Sequence, residues 1–444
     1  MTTTDKQPRR LERRHDRMKG GSQMKKVLGL LAVMVCAALA AGAAQAGRQA
    51  EVVKLTFATY VWQPTTVSAT KSIVEAWNQS HPGIQVTIVP VDVNSVHDKL
   101  LTNFVGGTAA DVIHDEAADI AGFTQQGYLA NLSPLMSKQF KASIPQSLWD
   151  TVNFGRNRIT GVPTLMQTYN VFANMDIFKE AGIKAPTAKN PWTWTQFRSI
   201  SKRLTNSSRF GVCWGLRSPT AAIQTMSLNF GGQYFYLDGG KWNFRWGPAE
   251  QAVVKNMHDM IYVDKSVDAA ATGLSGSAVL PGFFGGKCAM TVQGNFQAQG
   301  MILQSPKGFN WAMFPLLKGD SQQQVANPQT LSISEQSDHK KEAMQFIEYV
   351  ANAANLAKLA AGDWLIPANP ASGKLILKST KRTGSWRIAT SSVVHFRKGN
   401  WVSLAAYARW KAEVATPQFV QYLRNAITLE ELGKNLSDGW NRVR

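Results

Sequence analysis

Ala76-Trp77-Asn78-Gln79-Ser80-His81-Pro82-Gly83-Ile84-Gln85-Val86 carries the chain from one element, through a stop, into the next. Upstream, residues 66–80 repeat at helical spacing and set Ile73, Val74 and Trp77 on one face. His81-Pro82-Gly83 ends that helix, because proline and glycine punctuate regular structure. Residues 84–91 then alternate as a strand. Ahead of the helix, residues 51–59 read as a buried strand; behind the second strand come a helix over 95–104 and a third strand at 110–114. The order strand–helix–strand–helix–strand predicts a largely parallel α/β sheet covered on both faces. In such sheets ligands gather at the carboxyl ends of the strands.

The α/β texture continues without a detectable repeat. A short strand is expected at 171–173, helices at 175–181 and 194–204, and a hairpin around Asp238-Gly239-Gly240. Further helices are expected at 248–263, 340–359 and 429–442, with a strand at 288–293. No Gly/Ser linker or low-complexity run divides the chain, so two domains would have to be intimately connected.

Of the 444 residues, 44% are hydrophobic and 17% charged, a composition that supports packed cores and argues against disorder. Lys25-Lys26 precede an apolar run from Val27 to about Ala43, closed by Ala44-Gln45-Ala46 before Gly47. A basic start, a short apolar stretch and small residues at alternate positions predict a secretory signal peptide cleaved after about Ala46. Val35 stands where a lipid-attachment signal at Cys36 needs glycine or alanine, which argues against lipid attachment. Residues 1–23 are polar and read either as a long lead-in or as residues ahead of a true start at Met24. The formal charge is +19, and the chain stays basic without its leader. Such a balance gives modest weight to an acidic ligand. Export and the lack of an arginine-rich helix or aromatic nucleic-acid motif argue against nucleic acid.

Cys213 and Cys288 remain once Cys36 leaves with the leader; in an oxidising compartment they are either one disulfide or two buried thiols. Enzyme signatures are missing. Gly273-Leu274-Ser275-Gly276-Ser277 fails the nucleophile elbow at its last position. Gly285-Gly286-Lys287-Cys288 lacks the leading glycine of a phosphate loop and has cysteine at the metal-binding hydroxyl position. The seven histidines show no His-Glu-x-x-His spacing, and no metal or other cofactor is expected. Asp115 and Glu116 are sequence neighbours, and adjacency does not demonstrate a glycosidase pair flanking a bond.

The opening stretch also resembles a signature of the extracellular solute-binding proteins of bacterial sugar ABC transporters. Further likenesses follow in that family's order. They are Gly106-Gly107-Thr108-Ala109-Ala110-Asp111-Val112, Gly127-Tyr128-Leu129-Ala130-Asn131-Leu132 and Ile159-Thr160-Gly161-Val162-Pro163. Tyr169-Asn170-Val171-Phe172-Ala173-Asn174 leads into Phe178-Lys179-Glu180-Ala181-Gly182, and Trp192-Thr193-Trp194-Thr195-Gln196-Phe197 resembles a helix entry that carries acids where Thr195-Gln196 stand. Phe284-Gly285-Gly286-Lys287-Cys288-Ala289-Met290 and Ile366-Pro367-Ala368 complete the series. No one motif is specific; their order over nearly the whole exported chain is.

The resemblance implies a two-lobed, periplasmic-binding-protein-like (type II) α/β fold with a hinge and an interlobe ligand cleft. One lobe is expected to hold 51–162 plus 310–372, the other 163–309 plus 373–444. It implies a periplasmic, monomeric receptor that takes a mono- or oligosaccharide and delivers it to the permease subunits of an ABC importer, without catalysis. A receptor for an acidic or phosphorylated sugar or polyol, a secreted carbohydrate-active enzyme, and a receptor feeding a sensor kinase are the alternatives. A sugar needs planar polar groups for its hydroxyls and aromatic platforms for its ring faces. Tyr60 and Trp62 are expected just past the first strand, and His114, Asp115 and Glu116 just past the third. Gln167 and Tyr169 follow the crossing, and Trp214, Arg217, Gln293, Asn295, Phe296 and Trp364 lie in segments that resemble cleft loops. Against each stands a plainer fate: packing for the tryptophans, a cap or solvated loop for Asp115 and Glu116, a salt bridge for Arg217. Trp192 and Trp194 are expected to pack at a helix entry.

Overall fold

The stop at His81-Pro82-Gly83 is held from both sides. Trp77 Nε1 donates to Ile84 O at 3.0 Å, and its ring stacks on His81 at 3.6 Å. Asn78 donates to Val86 O and accepts from Val86 N, at 3.0 and 2.8 Å. The side chains of the helix thus dictate where the next strand begins. This computed structural model describes residues 51–92, 95–155 and 158–444; the expected leader and its cleavage site lie outside the described residues.

The first sheet follows. Strand β1 (Val53–Tyr60), helix α1 (Pro64–Ser80), strand β2 (Ile84–Val91), helix α2 (Val96–Val105), strand β3 (Val112–Glu116) and helix α3 (Ala117–Gln125) succeed one another. Strand β1 lies between β2 and β3 and is parallel to both, as the reading of periodicity requires. Gln329–Ile333 pairs antiparallel to β3 on one side and to Val162–Pro163 on the other. Ile73, Val74 and Trp77 are buried, so the predicted face of α1 is the one that packs.

The second sheet orders Trp311–Met313, Tyr169–Asn174, Cys288–Gly294 and Phe210–Trp214. Its strand Cys288–Gly294 is antiparallel to Tyr169–Asn174 and parallel to Phe210–Trp214. Cys213 and Cys288 are bonded across that parallel pair, with Cα atoms 5.5 Å apart, which settles the alternative the sequence left open. Trp192 stacks near Phe178 at 5.9 Å, and Trp194 Nε1 donates to Asn229 Oδ1 at 2.9 Å; both are packing residues. Where the sequence carries Gln196 instead of an acid, its Oε1 accepts from Thr193 N at 2.9 Å and completes a capping box.

The chain leaves the first sheet after Pro163 and enters the second at Tyr169, through Leu165–Met166, which pairs with Ile366–Pro367. It returns between Met313 and Gln329. Trp311–Met313 pairs with the second sheet, on the far side of the boundary expected at 310. The helical stretch expected over 340–359 is two helices, Lys340–Val350 and Ala353–Asp363, because Asn352 caps the second by accepting from Asn355 N at 2.9 Å. The C-terminal part is helical to Leu429–Val443. Among the described residues no helix is long and apolar enough to cross a membrane.

Candidate ligand-binding site

Because β1 and β3 are parallel neighbours, their carboxyl ends stand side by side. Tyr60, Asp115 and Glu116 are the last residues of these strands rather than residues just past them, a correction to the sequence reading. Tyr60 Oη donates to Asp115 Oδ1 at 3.1 Å, and its ring stacks on His114 at 4.1 Å. His114 Nδ1 lies 2.9 Å from Thr59 Oγ1, and its Nε2 lies 3.1 Å from Gln329 Oε1. Burial pushes His114 down to about 4, so the ring is neutral at pH 7.

Asp115 is fully buried. Its Oδ1 also accepts from Glu116 N at 2.8 Å, while Oδ2 has no partner. Burial, and then the charge of Asp119, raise it well above the usual carboxylate range. Glu116 Oε2 accepts from Asn327 Nδ2 at 2.7 Å; burial and Asp119 push Glu116 up to about 7, against the pull of Lys411. Burial works to lower Lys411, but Asp119, Glu116 and Asp115 outweigh it and keep the ammonium charged.

A second wall faces these acids. Tyr169 is clamped by its backbone to Gln324: Tyr169 N donates to Oε1 and Gln324 Nε2 donates to Tyr169 O, each at 2.9 Å. Burial and the nearby charge of Glu116 raise the Tyr169 hydroxyl. Tyr407 is raised by burial and then by Asp119 and Glu116, and its hydroxyl donates to Gln224 Oε1. Asp119, Asn327, Tyr407 and Lys411 were not anticipated. Asp119 stood three residues beyond Glu116, one helical turn away, and that spacing was a usable signal. Tyr407 and Lys411 arrive from the far end of the chain with no motif around them.

The aromatic part of the site is separate. Trp62, 36% exposed, meets the half-buried Phe296 edge to face at 5.3 Å. Trp62 bonds to the Asp363 carboxylate, which burial pushes up to about 7 against that bond and one from Thr66. Direct contacts flank the pair: Gln63 Nε2 donates to Phe296 O at 3.3 Å, and Gln299 Nε2 to Thr65 Oγ1 at 2.8 Å. The beginning of α1 is thereby joined to the segment after the central strand of the second sheet.

The remaining candidates are placed differently. Gln167 is half-buried on the crossing segment. Asn295 is buried and holds Thr168 N at 3.0 Å and Trp364 O. Gln293 is directed to Gly276 O and Thr291 Oγ1, both at 2.9 Å. Trp364 is buried with φ 57° and stacks on Trp386 at 4.5 Å. Trp214 is buried edge-on to Phe197, and Arg217 is exposed. Beyond the acids, α3 passes Ala405 so closely that a Cβ on Gly122 would lie 3.2 Å from Ala405 O. Outside that contact lies a groove of about 730 Å³, lined by Thr124, Gln125, Phe154, Trp242 and Arg444 among others. Among the described residues no group of three His, Cys, Asp or Glu is arranged to hold a metal ion.

Residues 63–357 match the family model of the bacterial extracellular solute-binding proteins. The chain is 37% identical over 405 residues to an uncharacterized lipoprotein in the oleD 5′ region of Streptomyces antibioticus, covering 90% of this chain and 89% of that one. Its fold is similar to an ABC substrate-binding protein of Listeria monocytogenes in complex with cycloalternan, with TM-score 0.74 and 20% identity over 88% of this chain and 99% of that one. It is also similar to the sugar-binding protein MalE of Xanthomonas citri, with TM-score 0.75 and 19% identity over 88% and 96% of the two chains.

Proposed function

The chain belongs to the bacterial extracellular solute-binding proteins, and on that footing we propose that it is the sugar receptor of an ABC importer, binding a mono- or oligosaccharide between its two lobes. The observation that carries the reading is the juxtaposition of Trp62 and Phe296, one just past the end of β1 and one just past a strand of the second sheet; the polar set Glu116, Asn327 and Tyr169 stands apart from that pair, at the end of β3. An aromatic pair offers faces to an apolar ring side, and the polar set offers partners to hydroxyls. Similarity to proteins described as sugar-binding and as complexed with cycloalternan supports the same ligand class.

Each lobe keeps its own sheet, and the crossings at 163–169 and 313–329 serve as the hinge. Contacts such as Gln63 to Phe296 and Gln299 to Thr65 belong to the closed form. Ligand touching both walls stabilises that form over the open one, and the differential affinity is the signal the permease reads. The receptor is exported, loses its leader after about Ala46, acts as a monomer, and returns its ligand unchanged.

The test is a thermal-shift and calorimetric screen of the purified mature chain against neutral mono- and oligosaccharides, with the recovered ligand analysed afterwards. Saturable binding with intact ligand is expected. Folded protein that binds nothing in the panel would sink the sugar reading, and product formation would sink the receptor.

A further inference from the structure

Asn295 and Phe296 form the corner between the strand Cys288–Gly294 and the helix Gln297–Gln304. Phe296 faces Trp62, whereas Asn295 is 0% exposed and has no surface to offer a sugar. Its bonds go to two stretches of backbone instead. Asn295 N donates to Thr168 O at 2.9 Å and its Oδ1 accepts from Thr168 N at 3.0 Å, which fixes the corner to the first crossing. Its Nδ2 donates to Trp364 O. Trp364 has a left-handed backbone, φ 57°, a conformation that a tryptophan keeps only where its surroundings impose it. Two residues on, Ile366–Pro367 pairs with Leu165–Met166 of the same crossing.

From Thr168 the bonds continue to the other crossing. Thr168 Oγ1 donates to Asn170 Oδ1 at 2.6 Å, and Asn170 Nδ2 donates to Phe314 O at 2.9 Å, where the chain returns. Thr168, Asn170 and Asn295 are each no more than 1% exposed, so water cannot replace a bond that is lost. Phe296 is held from its other side as well: Gln63 Nε2 donates to its carbonyl at 3.3 Å. Its ring lies back over Gly294, where an added Cβ would come within 2.1 Å of the ring. Asp363, the residue before Trp364, bonds to Trp62. Two consecutive residues thus anchor the two members of the aromatic pair, Asp363 directly and Trp364 through Asn295.

Resting on the sugar-receptor reading, we infer that Asn295 is a positioning residue for the ligand: without touching the sugar, it fixes the Phe296 ring opposite Trp62 and ties that register to both hinge crossings. A platform that is already ordered spares the binding step the cost of ordering it. The pair grips a ring face only while the crossings keep the geometry that Asn295 records, so stacking is coupled to closure.

A double-mutant cycle tests this, by calorimetry with maltotriose or with whichever neutral saccharide of the screen above binds tighter. Asn295→Ala and Phe296→Ala should each weaken binding about tenfold. Once Phe296 is alanine, Asn295→Ala should change the affinity by less than about twofold, because there is no ring left to place. A residue that merely stabilises the second sheet would lower the melting temperature and weaken binding by the same factor in both backgrounds. Asn295→Asp keeps the shape and the acceptor for Thr168 N but loses the amide donor to Trp364 O. It serves where Asn295→Ala does not fold, and its effect should likewise vanish beside Phe296→Ala. Gly294→Ala displaces the ring directly and should reproduce the loss of affinity in a protein that melts near the wild-type temperature. The inference is overturned by wild-type affinity in folded Asn295→Ala or in Gly294→Ala, or by losses that multiply in the double variant; the receptor reading survives each of these. Folded wild-type protein that binds no sugar removes the receptor reading and this inference together.

Discussion

Around the second sheet most polar groups find partners, Trp311 Nε1 excepted, whereas the carboxyl end of the first sheet gathers three acids and leaves Asp115 Oδ2 unpaired. In the second sheet Trp194 reaches Asn229, Thr193 and Gln196 cap one another, and Cys213 is bonded to Cys288. At the end of the first, Asp115 keeps an oxygen without a donor, Glu116 crowds Asp119, and Trp62 leaves a third of its surface to solvent. Strain of this kind persists where the surrounding structure over-determines it, and it is found where a ligand is to be received. The difference separates residues that hold the fold from residues that hold something else, and it can be attacked from either side.

The hardest blow falls on the satisfied region. Trp214 is buried against Phe197, so Trp214→Ala should lose about 3–5 kcal/mol of unfolding free energy in a denaturant titration. Trp62→Ala, on a residue 36% exposed, should lose under about 1 kcal/mol while weakening sugar binding by roughly tenfold or more. Equal destabilisation by the two, or unchanged affinity in Trp62→Ala, would erase the distinction. Next comes the bridge, which closes a loop of 75 residues in sequence separation. Its replacement by Cys213→Ser with Cys288→Ser should cost about 2–5 kcal/mol without changing the affinity of the folded fraction. A variant that melts normally and binds tenfold worse would place the bridge in the site.

These regions also differ in how far they could be read from the chain. The joint at His81-Pro82-Gly83 was legible because Trp77 and Asn78 act on Ile84 and Val86, a few residues away, and local chemistry leaves a local pattern. Helix 194–204 was legible to the residue for the same reason, its cap being Thr193. The break at Asn352 was not, since neither proline nor glycine marks it and asparagine inside a helical pattern is ambiguous. Of the candidate site, Tyr60, Asp115 and Glu116 could be named from strand ends, and Tyr169 from its place after the crossing. Lys411 and Tyr407 could not, because nothing near 407–411 records what the packing of distant helices brings opposite β3. Trp364 shows the converse failure: its neighbourhood suggested a cleft loop, but a left-handed backbone turn tucks the ring onto Trp386.

Closure tests the boundary between the two regions. Gly122 lets α3 approach Ala405 O, and a leucine there has no room beyond the 3.2 Å a bare Cβ would already occupy. Gly122→Leu should hold α3 away from 405, enlarge the radius of gyration in solution scattering with ligand present, and weaken binding about tenfold, while the unliganded melting temperature changes little. Normal compaction on adding ligand would show that this contact does not govern closure.

The smallest effect is the most specific, because it reads the unsatisfied charges directly. Glu116 and Asp363 are both pushed up to about 7, so from their ordinary values to about 7 the folded protein holds protons that the unfolded chain has released. Stability contributed by these two groups is therefore greatest at low pH and declines as pH rises toward 7. His114, pushed down to about 4, works the other way: below its ordinary value the unfolded chain binds a proton that the folded ring refuses, so its contribution grows from about pH 4 to about 6.5. Asp115 is raised as well and joins the majority. The ligand-free protein should then lose stability between about pH 5 and pH 7, and Glu116→Gln with Asp363→Asn should remove most of the loss, leaving the decline due to Asp115 and the rise due to His114 to oppose one another. Melting curves of both proteins across that interval decide the matter: the variant's advantage should widen with pH. A constant gap would mean that these carboxyls titrate normally, and the contrast between the two sheets would then rest on the orphan oxygen of Asp115 alone.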